Sequence, residues 1–319
     1  MKVSILVPIY GVEKFIGQCA QSLFSQTYKD IEYIFVNDCT PDNSIQVLEE
    51  VLAKFPERQQ QVSIIQHEKN RGLGAARMTG LQLATGELMM IVDSDDYIAI
   101  DCVEKLVARQ VETGADIVDG AYATFTGDKI MTTTAPWAQL STDKYLKAIL
   151  IQNTVTNHVW ARIYRRAIFE ETGIGFVEGV NLAEDYAIMG RSLLKASRVC
   201  LNEVVYYYRY NDYGTFPEGV SARHIMSVVR AAGIVCDYLR HNDQKGTYYT
   251  AMDIGLLNIY SIAAKVGVNR QEVQQYCGKP SSPLFRCCLP LATIMHGRPL
   301  RWLYLFVKRL YKMSVLHIN

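Results

Sequence analysis

The feature that most constrains the fold is an alternation of short apolar runs with segments of helical spacing between residues 3 and 120. The first run, residues 3–9, is apolar nearly throughout, as in strands that are buried on both faces of a sheet. Alternating strands and helices imply right-handed crossovers and a largely parallel sheet. The predicted strands span residues 3–9, 31–36, 62–65, 88–92 and 116–120, and the predicted helices span residues 12–25, 44–55, 73–84 and 101–112.

Polar and aromatic side chains follow the ends of the first four predicted strands. In such sheets ligands bind beyond the carboxyl ends of the strands, so we expect these segments to line one crevice. They supply one aromatic face, two basic side chains, an amide and several carboxylates, which suit a nucleotide diphosphate with a metal ion. Neither a Walker A loop nor a G-x-G-x-x-G motif follows the first strand, so a P-loop NTPase or classical dinucleotide site is not indicated. The segments are residues 8–10, 37–38, 67–72 and 93–95.

The segment Asp93-Ser94-Asp95-Asp96 places three carboxylates within four residues, directly after the apolar run 88–92. Like charges this close repel each other, and buried carboxylates without a partner are costly. A hard divalent cation such as magnesium or manganese would relieve both problems, because these ions prefer carboxylate oxygens. The alternative is a solvated, Asp-rich turn that leads into the next helix.

Composition leaves the broad class open but reveals an asymmetry of charge. The chain has 319 residues, which is long enough for one large α/β domain or for one domain with an appendage. Its net charge is +1. No acidic residue follows Glu272, whereas seven Lys and Arg residues do, so residues 1–272 sum to −6 (+1 minus +7). A tail of this charge suggests a partner of its own.

The eight cysteines form no C-x-x-C pair, which disfavours a zinc site. No signal peptide is recognisable and no stretch of about 20 apolar residues exists, so free thiols in a reducing cytosol and no transmembrane helix are expected. We therefore expect a cytoplasmic protein, with peripheral attachment to the inner face of the cell membrane as an additional expectation for the basic tail.

Several short motifs occur in a fixed order along residues 2–215. They are residues 3–10 with Glu13, residues 25–28, 36–38, 70–72 with Arg77, 93–96, and Glu184-Asp185. Each is weak alone, but together, and at the predicted strand ends, they resemble family 2 glycosyltransferases. That resemblance implies an α/β GT-A fold, Rossmann-like, with a mostly parallel central sheet flanked by helices and a helical C-terminal extension. It places a catalytic domain at residues 1–215 and the extension at 216–319.

The resemblance also assigns roles to residues. Tyr10 would stack on the nucleotide base, Asp38 would accept the base N–H, and Asp95 would bind the metal. Asp93 would face the ribose or diphosphate and assist as a second metal ligand, and Asp185 would be the general base. The remaining expected donor-binding residues are Pro8, Glu13, Asn70, Arg77 and Ser94, and the expected acceptor-region residues are Glu184, Trp160 and His158.

The implied reaction is the inverting transfer of a sugar, most simply from a UDP-sugar, to a hydroxyl of a glycan or lipid-linked acceptor during surface polysaccharide synthesis. It would use Mn²⁺ or Mg²⁺, and no nucleic-acid partner is expected. Two alternatives stay open, a sugar nucleotidyltransferase and a non-catalytic glycan-binding relative. A nucleotidyltransferase would need a Gly-rich basic loop after the first strand, which residues 11–15 do not supply.

Several residues have a structural alternative. The acidic pair Glu184-Asp185 could simply complement a helix dipole, and Trp160 could be buried in the core. Two positions also depart from the family pattern. Cys39 stands where Gly is common and would narrow a tight turn, and Arg162 stands where a Lys is common, which alters the geometry of an expected acceptor contact.

Residues 300–313 read as a basic amphipathic helix. Arg301, Lys308 and Lys312 fall on one helix face, and large apolar side chains cover most of the rest. Such a segment could lie on an anionic membrane surface. The alternative is a helix packed on the body of the protein.

Overall fold

The structure, a computed structural model, describes residues 1–210 and 221–318. The chain divides into two compact units. The described part of the first unit comprises residues 1–138, 159–179 and 196–210, and that of the second comprises residues 139–158, 180–195 and 221–318.

Every strand in the described residues belongs to the first unit, in one sheet of spatial order β3-β2-β1-β4-β8-β6-β9-β5 with β7 on β6. The strands are β1 (Val3–Ile9), β2 (Ile31–Asn37), β3 (Val62–Gln66), β4 (Leu88–Ile91), β5 (Tyr97–Ile98), β6 (Ile117–Thr126), β7 (Lys129–Thr134), β8 (Arg162–Arg165) and β9 (Arg198–Arg209). The half formed by β3, β2, β1 and β4 is parallel, whereas β8 runs antiparallel to both β4 and β6. β9 is parallel to β6 and antiparallel to β5.

The helices in the first unit are α1 (Ile16–Phe24), α2 (Ser44–Leu52), α3 (Leu73–Leu83), α4 (Cys102–Thr113) and α6 (Ala167–Thr172). Helices α1, α2 and α4 share one apolar cluster with Val3, Ile5 and Val7 of β1. Leu6 points to the opposite face of β1, because side chains alternate along a strand. There Gly80 of α3 approaches so closely that a Cβ on it would lie 3.4 Å from the Leu6 side chain. Helices therefore cover both faces of the parallel half of the sheet.

The second unit is helical. Its elements are α5 (Thr142–Leu150), α7 (Glu184–Ser192), α8 (Ala222–Asn242), α9 (Tyr249–Lys265), α10 (Arg270–Cys277), α11 (Pro283–Cys288) and α12 (Arg298–Tyr311), with a π-helical turn at Lys312–Leu316. Its helices pack closely at glycines. A Cβ on Gly255 of α9 would come within 2.1 Å of the Leu150 carbonyl oxygen, and one on Gly190 of α7 would come within 3.1 Å of Val235 of α8.

The predicted α/β fold class is confirmed, and the strands predicted up to residue 92 and the helices up to residue 112 recur within four residues of their expected ends. The predicted domain boundary at 215/216 lies outside the described residues. The structure differs from that division because it assigns residues 139–158 and 180–195 to the second unit. The physical reason is that α5 and α7, which those segments contain, pack on α9 and α8. Among the described residues no helix has both the length and the apolarity to cross a bilayer.

Candidate active site

The parallel strands bring the predicted donor-site segments to one edge of the sheet. Ile9 at the end of β1 lies opposite Asn37 of β2, which in turn lies opposite Gln66 of β3. On the other side of β1, the Val92 N–H donates to the Leu6 carbonyl oxygen at 3.0 Å, which extends the pairing just beyond β4. The segments that follow these four strands therefore leave the sheet at the same edge.

Asp38 fixes the turn that precedes α3. Its carboxylate accepts the backbone N–H of Arg71 at 2.8 Å and that of Gly72 at 2.7 Å, and Oδ1 lies 2.7 Å from Nδ1 of His67. The Asp38 side chain is buried, and these contacts use most of its acceptor positions. The sequence predicts that Asp38 contacts a base N–H. The structure adds that Asp38 stabilises the loop at Arg71 and Gly72.

Arg77 of α3 contacts the segment Asp93-Ser94-Asp95-Asp96, which we call the acidic segment. Its guanidinium is only 2% exposed and donates from Nη2 to Oδ1 of Asp93 at 2.6 Å, while its Cζ lies 5.7 Å from the centre of the Phe176 ring. Because the guanidinium is buried on Asp93, Arg77 acts on the site through that carboxylate. Asp93 itself remains partly exposed at the edge of the sheet.

Asp95 carries the clearest electrostatic signal in the acidic segment. Burial, and then the negative charge of Asp93, raise the pKa of its carboxyl to about 6. A divalent cation would favour the ionised form, so the chemistry of the Asp93 and Asp95 pair fits a hard metal ion. Within residues 1–210 and 221–318 no group of three or more His, Cys, Asp or Glu side chains is placed to hold a metal.

Tyr206 of β9 holds the acidic segment through Asp96, the last residue of that segment, and through the Asp93 N–H. Asp96 is buried and accepts hydrogen bonds from the Tyr206 hydroxyl and from the Arg209 N–H, each at 2.7 Å. The same hydroxyl accepts the Asp93 N–H at 3.1 Å. Burial, and then the charge of Asp95, raise the pKa of Asp96 well above its ordinary value. Ser94 is also buried, so its side chain lies within the protein.

The side chain of Arg209, at the end of β9, binds the backbone of the same segment. Its Nε donates to the Asp95 carbonyl oxygen at 2.7 Å, and Nη2 donates to the Gln18 side chain. The guanidinium lies 4.7 Å from the ring centre of Phe15 and 4.5 Å from that of Phe125. Sequence reasoning missed both Tyr206 and Arg209. The only signal was their place in a β-rich run of aromatics, which mostly indicates sheet packing.

The first loop carries the other predicted donor-site residues. Tyr10 directly follows β1 and is 52% exposed, so its ring is accessible for stacking. Glu13 accepts the Asn43 backbone N–H and side-chain amide, each at 3.2 Å, and thereby joins this loop to the start of α2. Asn70 is exposed, whereas Pro8 is buried within β1.

The two departures from the family pattern have structural consequences. Cys39 has a φ of 58°, in the left-handed region that Gly adopts readily and other residues adopt at a cost. Arg162 is buried, and its Nε donates to Asp119 Oδ1 at 2.5 Å, while Arg198 Nε donates to Oδ2 of the same carboxylate at 2.5 Å. The Arg162 side chain is thus committed to an ion pair inside the first unit.

Trp160 belongs to an aromatic stack in the core of the first unit. Its ring lies 4.7 Å from that of Tyr206 and 5.1 Å from that of Tyr208, nearly parallel to both, and its side chain is 7% exposed. Trp160 thus packs against Tyr206, the residue that holds the acidic segment. This position corresponds to the alternative in which Trp160 is buried in the core. His158 is half-buried and falls in the second unit.

Glu184 and Asp185 open α7 in the second unit. Ala183 immediately before them has a φ of 64°, so the helix begins abruptly at the acidic pair. Glu184 is buried and Asp185 is half-buried. In the first turn both carboxylates interact favourably with the helix dipole, and Asp185 retains an accessible surface for a further partner.

Comparisons with known proteins identify the family of this chain. The family model described as "Glycosyl transferase family 2" matches residues 4–173. The glycosyltransferase EpsJ of Bacillus subtilis is 35% identical over 218 residues, which are 66% of this chain and 61% of EpsJ. This chain therefore corresponds to less than two thirds of that relative.

Solved structures show the same fold at lower identity. Residues 1–349 of Staphylococcus aureus TarS, in complex with UDP-GlcNAc, align with a TM-score of 0.61 and 21% identity over 87% of this chain and 90% of that one. A mannosyltransferase of Pyrobaculum calidifontis, in complex with GDP-Man and Mn²⁺, aligns with a TM-score of 0.55 and 15% identity over 98% of this chain and 87% of that one.

Proposed function

Because the chain belongs to glycosyltransferase family 2, we propose that it transfers a sugar from a UDP-sugar to a hydroxyl of a glycan or lipid-linked acceptor, with inversion at the anomeric carbon. The reaction would extend a surface polysaccharide. UDP is preferred as the nucleotide because the TarS complex with UDP-GlcNAc aligns with a higher TM-score and identity than the mannosyltransferase complex with GDP-Man.

The observation that carries the proposal is the carboxylate pair of Asp93 and Asp95 just beyond β4, held in place from three sides. Arg77 binds the Asp93 side chain, Tyr206 binds the Asp93 N–H, and Arg209 binds the Asp95 carbonyl oxygen. A segment that had only to turn the chain would not need its backbone held at both Asp93 and Asp95 and its Asp93 carboxylate paired with a buried arginine. A preorganised anionic pair suits a cation that neutralises a diphosphate.

In the proposed donor complex Tyr10 stacks on the base and Asp38 accepts its N–H, while Asn70 stays accessible beside them. Asp93 contacts the ribose or diphosphate, and Asp95 is the principal metal ligand. A divalent cation, Mn²⁺ or Mg²⁺, would supply Lewis-acid stabilisation of the negative charge that grows on the leaving diphosphate. Arg77 contributes by orienting the Asp93 carboxylate.

We assign the general base to Asp185. An acceptor hydroxyl is a poor nucleophile, and a positioned carboxylate that takes its proton typically contributes about 10²–10⁴-fold. One base without a second nucleophilic carboxylate corresponds to a single displacement, which inverts the anomeric centre. Its neighbour Glu184 belongs to the proposed acceptor region.

The experiment begins with a thermal-shift screen of nucleotide sugars in the presence of Mn²⁺, because a bound donor stabilises the folded state. The stabilising donor is then used in a transfer assay that measures released nucleotide, and the anomeric configuration of the product is read by NMR. We expect Asp95→Asn to lose donor stabilisation and transfer. We expect Asp185→Asn to keep donor binding and lose transfer. Asp128→Asn, in an exposed turn, is the matched control.

Full transfer activity in both Asp95→Asn and Asp185→Asn would refute the assignment. Release of pyrophosphate from a nucleoside triphosphate would instead indicate a nucleotidyltransferase. Metal-dependent nucleotide binding without turnover of any donor would indicate a non-catalytic relative.

A further inference from the structure

Helix α12 is anchored to the second unit by its polar face. Lys308 donates from Nζ to the carbonyl oxygens of Gln152 and Asn153, each at 2.7 Å, and Arg301 donates to the side-chain oxygen of Asn258 in α9. Tyr304 is buried on the same side and donates its hydroxyl to the Ile151 carbonyl oxygen at 3.0 Å. The cations that the sequence places on one helix face are therefore partly used to hold the helix on the protein.

The opposite face of α12 is apolar and exposed. Trp302 is 78% exposed and Phe306 is 61% exposed. Their partners on this face follow helical spacing, so the side chains form one continuous stripe. We call this stripe the outward face; its exposed apolar members are Trp302, Leu305, Phe306 and Leu310 of α12, continued by Met313 in the π-helical turn that follows.

An exposed stripe of this size indicates a surface that something covers. Single exposed apolar residues are ordinary, but contiguous apolar patches mark interaction sites. The arrangement is also the reverse of an ordinary surface helix, which buries its apolar stripe and exposes its charges. In α12 two cations face inward and the largest apolar side chains face out.

The charge of the outward face identifies its partner. Arg298 and Arg309 are exposed and lie on the same arc as Trp302, and no acidic residue follows Glu272. A second copy of this chain that docked by the same face would bring these arginines together without a compensating carboxylate. Anionic lipid head groups would pair with the arginines while acyl chains covered the apolar side chains, with Trp302 at head-group level.

We propose that the outward face of α12 binds the surface of an anionic lipid bilayer, with the helix lying in the plane of the membrane. This goes beyond the donor chemistry proposed above and does not depend on it. It would hold the enzyme at a surface where a lipid-linked acceptor is embedded.

The test is co-sedimentation of the full chain with vesicles. One set contains phosphatidylcholine alone, and the other contains phosphatidylcholine with phosphatidylglycerol. We expect binding to the anionic vesicles, weak binding to the neutral ones, and loss of binding when NaCl rises from about 0.05 M to about 0.5 M, which shortens the Debye length. Trp302 fluorescence should shift to shorter wavelength on binding, and a Trp302→Leu variant should lose the shift.

The decisive variant is the double substitution Trp302→Glu with Phe306→Glu, which should lower the bound fraction by about tenfold or more by removing insertion. Both side chains are exposed, so the fold should survive, and an unchanged melting temperature verifies this. Val111→Glu, at an exposed apolar position of α4, controls for added negative charge. Arg298→Gln with Arg309→Gln should weaken binding to anionic vesicles, and Lys265→Gln is its control.

Equal binding of wild type and the double glutamate variant would overturn the proposal. So would the absence of vesicle binding together with a dimer, measured by light scattering, that the double glutamate variant dissociates. That second result would assign the outward face to another copy of the chain. None of these measurements uses a nucleotide donor, so failure here is distinct from failure of the proposed activity.

Discussion

At the scale of single residues, the site combines groups whose environments oppose their usual ionisation. Burial removes solvation from the Asp95 carboxylate and Asp93 adds a neighbouring negative charge, so the pKa of Asp95 rises to about 6. Such a raised pKa is typical of functional positions. This environment lowers the free energy of unfolding, because the ionised Asp95 carboxylate is less stable in the folded protein than in the unfolded chain.

Asp95→Asn should therefore stabilise the protein without metal above pH 6. The pKa of Asp95 is about 6 when folded and near 3.8 ordinarily, so the folded state binds more protons between these values and loses stability as pH rises through them. The gain from the substitution is at most about 3 kcal/mol above pH 6 and vanishes below pH ~4. Urea unfolding across this pH range measures it, with Asp128→Asn as control. A gain that is independent of pH would contradict the assigned cause.

Cys39→Gly should stabilise the fold modestly. The left-handed backbone at residue 39 costs a non-Gly residue about 1–2 kcal/mol, and the greater freedom of Gly in the unfolded chain returns about half of this. We expect a net gain of about 0.5–1 kcal/mol in the free energy of unfolding. Cys287→Gly, at another exposed cysteine but within α11, should instead lose about 1 kcal/mol. A loss at both positions would show that the Cys39 side chain makes a compensating contact.

At the scale of elements, β9 positions the acidic segment that follows β4. Tyr206 and Asp96 are separated by 110 residues, yet the hydroxyl of one bonds the carboxylate of the other at 2.7 Å. The parallel pairing of β9 with β6, together with its antiparallel pairing with β5, brings Tyr206 next to the acidic segment. The aromatic stack with Trp160 then fixes the orientation of the Tyr206 ring.

Tyr206→Phe should impair both stability and transfer. The change leaves the Asp93 N–H without its acceptor and removes one donor from buried Asp96, which costs about 1–3 kcal/mol. We expect kcat to fall and the KM for the donor to rise, because the acidic segment is no longer held. Steady-state kinetics and thermal unfolding measure the two effects. Tyr207→Phe on the same strand keeps its stacking on Tyr97 and should change neither; equal effects of the two substitutions would argue against the positioning role.

At the scale of the whole molecule, the second unit is assembled from three separate parts of the chain. Two short segments, 139–158 and 180–195, join the C-terminal helices, and one of them carries the proposed general base, Asp185. The C-terminal segment completes this unit, because Leu300, Tyr304 and Leu316 are all buried. The tail is thus an integral part of the fold as well as the carrier of an exposed apolar face.

Deleting residues 286–319 should therefore destabilise the protein, whatever its effect on membrane binding. Removing the burial of Leu300, Tyr304 and Leu316 costs about 5–9 kcal/mol at about 1.5–3 kcal/mol for each side chain. That loss is comparable with the whole stability of an ordinary domain. Calorimetry and limited proteolysis of the truncated chain measure it, with full-length Trp302→Glu as the folded reference. A truncated chain as stable as the full one would show that α12 contributes little to the core.

The sequence by itself determined the α/β class, the elements of the parallel half and the residues that follow its strands. Those features follow from local periodicity and from the rule that parallel strands end at one edge. Only the tertiary structure decided that Arg77 pairs with Asp93, that Tyr206 and Arg209 hold the acidic segment, and which face of α12 is turned outward. The physical reason is that these contacts join residues on different elements, up to 156 positions apart in the chain, which local periodicity does not relate. Helical spacing in α12 defines two faces, but the partners of Arg301 and Lys308 on distant elements decide which one is buried.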